Sequence, residues 1–125
     1  NCIFLDRKNA RQGMKDMKNA ISKVEDGYSY VIFPEGSRTK NGEVGEFKKG
    51  SFKLAKDSKV RILPLTIFGT YEVQSKKSLK VKGNKNIKVI VDKPIDLTNL
   101  PIQEQKNIHK IVNDIIRENL KKYKI

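Results

Sequence analysis

Glu35, Ser37 and Arg38 stand together in the run Val31-Ile32-Phe33-Pro34-Glu35-Gly36-Ser37-Arg38-Thr39. A hydroxyl and a guanidinium beside a glycine suit an oxyanion. Arg forks onto phosphate oxygens, and backbone N–H groups in a tight turn add donors. An apolar run that breaks off at Pro-Glu-Gly reads as a buried strand delivering a carboxylate and a cation to one loop. In open α/β sheets, ligands bind outside the C-terminal ends of the strands. An ordinary surface turn with a solvated Arg38 carries the same local pattern. The elements around the run must therefore decide.

Cys2-Ile3-Phe4-Leu5 is a short apolar run closed by Asp6-Arg7 and reads as a strand. Asn9 suits the N-cap of a helix whose apolar positions are Ala10, Met14, Met17, Ile21 and Val24. That spacing makes one core-facing stripe, so the two methionines are expected in the core. Gly27 falls where a helix C-cap belongs, and Tyr28 to Phe33 follows as a second strand. Strand, helix, strand is a βαβ unit, parallel and right-handed. Both strands then end on one side of the sheet, which brings Asp6-Arg7 beside Glu35 to Arg38.

Residues 39–46 are polar, contain Gly42 and Gly45, and read as a loop. Phe47-Lys48-Lys49-Gly50 opens a short helix ending near Ser58. Cations are disfavoured at a helix N-terminus, and a nearby anion would offset that cost. Val60 to Phe68 reads as a third strand, with Pro64 marking an edge or a bend. Residues 87–91 read as another, with Leu79-Lys80-Val81 as its hairpin partner. A long helix is expected from Gln103 to Tyr123, facing the core through Ile108, Ile111, Val112, Ile115, Ile116 and Leu120. The expectation is one α/β domain over residues 1–125, with a mixed, mostly parallel sheet and flanking helices.

Lys and Arg number 27 against 14 Asp and Glu, a formal charge of +13. Such a surplus favours nucleic acid, anionic lipid headgroups or phosphorylated small molecules, without choosing among them. One cysteine, Cys2, excludes an internal disulfide and is expected to be a small buried apolar residue. No apolar stretch approaches the roughly 18 residues of a membrane span, and no signal peptide is visible. No Cys/His cluster implies a metal, and no bound cofactor is expected. The chain opens on Asn1, directly before a strand-like run. The domain is therefore expected to be N-terminally incomplete, the C-terminal portion of a longer protein.

Three strand-end motifs stand in order: Phe4 to Arg7, Phe33 to Arg38, and the apolar run around Pro64. Their series resembles the glycerophospholipid acyltransferase family, in particular the 1-acylglycerol-3-phosphate acyltransferases. Phe33-Pro34-Glu35-Gly36-Ser37-Arg38 is the most specific match. Phe47-Lys48-Lys49-Gly50 and Leu54-Ala55 are also similar, so the resemblance covers roughly residues 2–70. It implies that Arg7 and Arg38 hold the phosphate of lysophosphatidate or glycerol 3-phosphate, with Gly36, Ser37, Lys48 and Lys49 nearby. Glu35 would orient an arginine or a substrate hydroxyl. Phe33, Pro34 and Pro64 would form the site wall.

The family's catalytic block, a His followed four residues later by an Asp, precedes the Phe4 to Arg7 motif. None is found there, so no catalytic base is assigned to this chain, which alone is expected to be inactive. His109 and Asp114 do not replace it. On one helix a spacing of five separates two side chains by roughly 140°. The resemblance implies acyl transfer from acyl-CoA or acyl-carrier protein, at the cytoplasmic face of the cell membrane, with the basic surface docking on anionic headgroups. Two other readings are a non-catalytic membrane-surface domain of the same fold and a basic nucleic-acid-binding module. The second is disfavoured, because the lysine-rich segment 76–88 contains no aromatic residue to stack on bases.

Overall fold

The computed structural model describes Cys2 and residues 9–39, 42–74, 78–83 and 85–123. Helix α1 spans Ala10–Glu25. Asn9 caps it: its side-chain oxygen accepts the Gln12 N–H at 3.1 Å, satisfying a donor that the first turn leaves open. Gly27 follows with φ 94°, a left-handed position that costs glycine no Cβ clash. The apolar stripe is only partly covered. Ala20 is buried, but Met14 is 65% exposed and is not the core residue its spacing predicts.

The expected strand over Tyr28 to Phe33 does not form. Strands are held by ladder hydrogen bonds to a neighbour, and among the described residues this segment joins no sheet. Val31 and Phe33 are 77% and 72% exposed instead of buried. Of the other expected parallel strand, residues 3–5 lie outside the described residues, and Cys2 is exposed where a buried thiol was expected.

The helix after Phe47 does form, as a 3₁₀ turn over Lys49–Phe52 running into α2, Lys53–Ser58. Helix α1 lies against α2. Strand β1, Leu65–Phe68, pairs antiparallel with β2, Lys88–Val91, and Ile62 bridges Ile95 beyond them. Pro64 interrupts this line, because it has no N–H to donate. It is buried, and its carbonyl accepts the Asp92 N–H at 3.1 Å. The expected hairpin between 79–81 and 87–91 is replaced by the β1–β2 pair, and Leu79 is exposed. Strand β1 offers Leu65 opposite Val91 and Ile67 opposite Val89. Such cross-strand apolar pairs hold a sheet better than three residues flanked by charge. Helix α3, Thr70–Val73, follows β1 at Gly69.

The long C-terminal helix is divided into α4, Ile102–Lys106, and α5, Ile108–Lys122. At the break, the Asn107 side chain donates to the Gln103 carbonyl at 3.1 Å, the local bonding that suits Asn to helix ends. From α5, Ile108, Val112 and Ile116 close a core with Phe52 and Leu97. Burying each such side chain contributes about 1.5–3 kcal/mol. Phe47 stacks on Phe52 with ring centres 6.4 Å apart. Thr66 and Phe68 of β1 are buried, and β1 packs on α5. Leu65, Ile67, Val89 and Val91 form the opposite, exposed face. The core thereby fixes residues 44–52 against α5, beside the Pro-Glu-Gly segment.

Candidate functional site

Phe33 to Gly36 form a tight turn. The Gly36 N–H donates to the Phe33 carbonyl at 3.0 Å, with Pro34 at the second position, where its fixed φ is an advantage. Gly36 has φ 69°. The returning chain runs beside the turn: the Lys48 N–H donates to the Pro34 carbonyl at 2.9 Å. A Cβ at Gly36 would lie 3.0 Å from Lys48 Nζ. Glycine thus lets the Lys48 ammonium pack directly on the turn.

Glu35 turns the other way. Its Oε2 accepts the Gly45 N–H at 3.0 Å, a charge-assisted bond that ties the turn to the 42–46 loop. Within that loop, the Thr39 hydroxyl donates to the Glu43 carbonyl at 2.7 Å and accepts the Gly42 N–H at 3.1 Å. Between turn and loop lies an open concavity of about 470 Å³ lined by Glu35, Ser37, Arg38, Thr39, Glu43, Gly45 and Glu46. Arg38 Nη1 donates to Gln74 Oε1 at 3.3 Å. A guanidinium carries five N–H donors in a fork, and this anchor aims one of them.

The structure thus brings together Glu35, Ser37 and Arg38 in one wall, with Gly36 and Lys48 on the turn behind it. Lys49 begins the 3₁₀ turn and does not line the concavity. Phe33 is exposed, Pro34 is half-buried, and Pro64 is buried beside β1; none of the three lines it. Arg7 lies outside the described residues. His109 sits on α5, partly exposed, with its Nδ1 buried and without a hydrogen-bond partner. Desolvation lowers its pKa, and Lys110, Lys49 and Lys56 lower it further. It does not line the concavity, and Asp114 is exposed.

Sequence reasoning missed Gln74, which aims Arg38, and the carboxylates Glu43 and Glu46. It also missed Asn113 and Arg117, which reach the loop from α5. Asn113 Nδ2 donates to the Gly45 carbonyl at 2.8 Å, and Arg117 Nη2 to the Val44 carbonyl at 3.2 Å. The one signal was an asparagine beside the apolar positions Ile111, Val112, Ile115 and Ile116, since a buried amide must find partners.

The family model described as Acyltransferase matches residues 1–68. The chain belongs to this acyltransferase family, and its relatives are the glycerophospholipid members that its ordered motifs resemble. It is 35% identical over 125 residues to a probable 1-acyl-sn-glycerol-3-phosphate acyltransferase of Mycoplasma pneumoniae, covering 94% of this chain and 46% of the relative. It is 33% identical over 123 residues to the 1-acyl-sn-glycerol-3-phosphate acyltransferase of Borreliella burgdorferi, covering 98% and 49%. The crystal structure of the 1-acyl-sn-glycerophosphate acyltransferase PlsC from Thermotoga maritima matches with a TM-score of 0.73 and 26% identity, covering 90% of this chain and 46% of that one. The acyltransferase-like α/β fold class read from the sequence is borne out. The chain spans about half the length of the curated relatives it matches. Among the described residues no helix is long and apolar enough to cross a membrane, and no group of three His, Cys, Asp or Glu side chains is placed to hold a metal ion.

Proposed function

We propose that residues 1–125 are the C-terminal portion of one acyltransferase domain and bind the phosphate of the acyl acceptor, lysophosphatidate. The carrying observation is the turn at Phe33 to Gly36. It gathers Ser37 and Arg38 on one side and the Lys48 ammonium on the other. The Arg38 guanidinium and the Ser37 hydroxyl suit phosphate oxygens, and Arg7 would add a second guanidinium. Glu35 contributes by bonding Gly45, which fixes the loop facing Arg38. The names of the relatives favour lysophosphatidate over glycerol 3-phosphate as the acceptor.

In the reaction the acceptor's free hydroxyl oxygen attacks the carbonyl carbon of an acyl thioester, from acyl-CoA or acyl-carrier protein. The new ester C–O bond forms, the C–S bond breaks, and the hydroxyl proton passes through a general base to the departing thiolate. His109 does not supply that base, and the half of the relatives' length that this chain does not span is where we place it. Phosphate binding here holds the hydroxyl in attacking position, the entropic share of catalysis. The basic surface docks the protein on anionic lipid at the cytoplasmic face of the membrane, where the acceptor resides.

The test is thiol release from acyl-CoA and from acyl-carrier protein with lysophosphatidate. Residues 1–125 are compared with the protein at its relatives' full length, and lysophosphatidate binding to both is measured. Activity in the longer protein alone, with binding in both, is the expected result. Turnover by residues 1–125 would refute the placement of the base. Loss of binding in both would refute the phosphate site.

A further inference from the structure

The loop facing Arg38 is held from α5 by side chains that do not themselves line the concavity. Asn113 is buried, only 8% exposed in the middle of α5. Its Nδ2 donates to the Gly45 carbonyl, and its Oδ1 accepts from Arg117 Nε at 2.7 Å. The Arg117 guanidinium continues to the Val44 carbonyl. The Gly45 peptide is thus gripped on both sides: its carbonyl by Asn113, its N–H by Glu35 of the Phe33 to Gly36 turn. A buried amide with both ends satisfied by different elements fixes a geometry more than it adds stability. We infer that Asn113, oriented by Arg117, is a positioning residue that sets the Gly45 peptide and, through it, the Glu35 carboxylate and the turn carrying Ser37 and Arg38. This role rests on the phosphate-binding reading of that turn.

Asn113→Asp separates positioning from packing. The carboxylate keeps the shape and still accepts from Arg117, but it cannot donate to the Gly45 carbonyl and sets an oxygen against it. In the full-length protein, Gly45 amide hydrogen exchange should accelerate about tenfold while the Ile116 amide is unchanged, the loss of roughly one hydrogen bond. The KM for lysophosphatidate should rise by a similar factor, with the KM for the acyl donor unmoved. Arg117→Ala, on an exposed side chain, should shift the same two readouts less, and Arg117→Lys should restore part of the effect. It also serves where Asn113→Asp fails to fold. Unchanged Gly45 exchange in both variants would overturn the grip. Faster exchange with an unchanged acceptor KM would overturn the positioning role. Arg38→Ala, measured alongside, reports on the phosphate-binding reading itself: if it too leaves acceptor KM unmoved, that reading has failed, whereas a raised KM confines the failure to Asn113.

Discussion

The Asn119 side-chain amide of α5 donates to the hydroxyl of Thr66 in β1 at 3.0 Å. Thr66 is wholly buried, and the same Asn119 nitrogen also reaches Asp92 Oδ2 at 2.8 Å. One amide thus joins the helix, the sheet and the segment after β2. Asn119→Ala should destabilise the fold by about 1–3 kcal/mol, because a buried hydroxyl loses its partner without gaining water. Urea unfolding measures it. In a double-mutant cycle with Thr66→Val, the loss in the double variant should fall short of the sum of the two single losses. Full additivity would mean that the bond contributes nothing.

Gly69 and Gly27 share nearly the same φ, 84° and 94°, yet their surroundings differ. A Cβ at Gly69 would collide with the Asn86 carbonyl oxygen, while one at Gly27 meets nothing within 4 Å. Gly27→Ala should cost about 1 kcal/mol, from the left-handed conformation alone. Gly69→Ala should cost clearly more, because backbone must move. Equal losses of stability on thermal melting would show that the steric term is absent.

His109 makes stability depend on pH. Its folded pKa is lowered, chiefly by desolvation, from the model-compound value of 6.5. The unfolded chain therefore binds the proton more readily. Stability from this group is intact above 6.5, declines as pH falls below it, and levels off only below the lowered folded value. His109→Gln should flatten the urea-unfolding free energy between pH 7 and 5. A slope identical to that of the wild type would exclude His109 as its source.

Arg38→Ala in the full-length protein should raise the KM for lysophosphatidate about ten- to hundredfold, the loss of one charge-assisted contact. Melting temperature should barely move, since the residue is exposed. Arg38→Lys should recover only part, because an ammonium lacks the planar fork. Kinetics like those of the wild type would remove Arg38 from the site.

Local chemistry was legible in the sequence wherever it needed no distant partner. The Asn9 cap, the Gly27 turn, the Phe47 to Ser58 helix and the core stripe Ile108, Val112 and Ile116 follow from periodicity and capping alone. Of the Phe33 to Arg38 motif, Glu35, Ser37 and Arg38 do line the concavity, whereas Phe33 and Pro34, expected in its wall, do not. What failed was partnership. Tyr28 to Phe33 has the composition of a buried strand, but a strand also needs a neighbour, and the expected one, residues 3–5, lies outside the described residues. Pairing of Leu65 with Val91 rather than 79–81 with 87–91 is a contest between registers, and no single segment encodes it. Gln74, Asn113 and Arg117 act across 36, 68 and 73 residues of chain, where no local spacing rule reaches.

The bonds from α5 to Val44 and Gly45 also fix an order of events during synthesis. The loop leaves the ribosome some seventy residues before Asn113 and Arg117 do. At about 5–20 residues per second, the nascent chain spends several seconds with the Gly45 carbonyl lacking its final partner. The concavity is thus finished only once α5 has emerged, and a chain that stalls before residue 113 carries its most specific motif in an unassembled form.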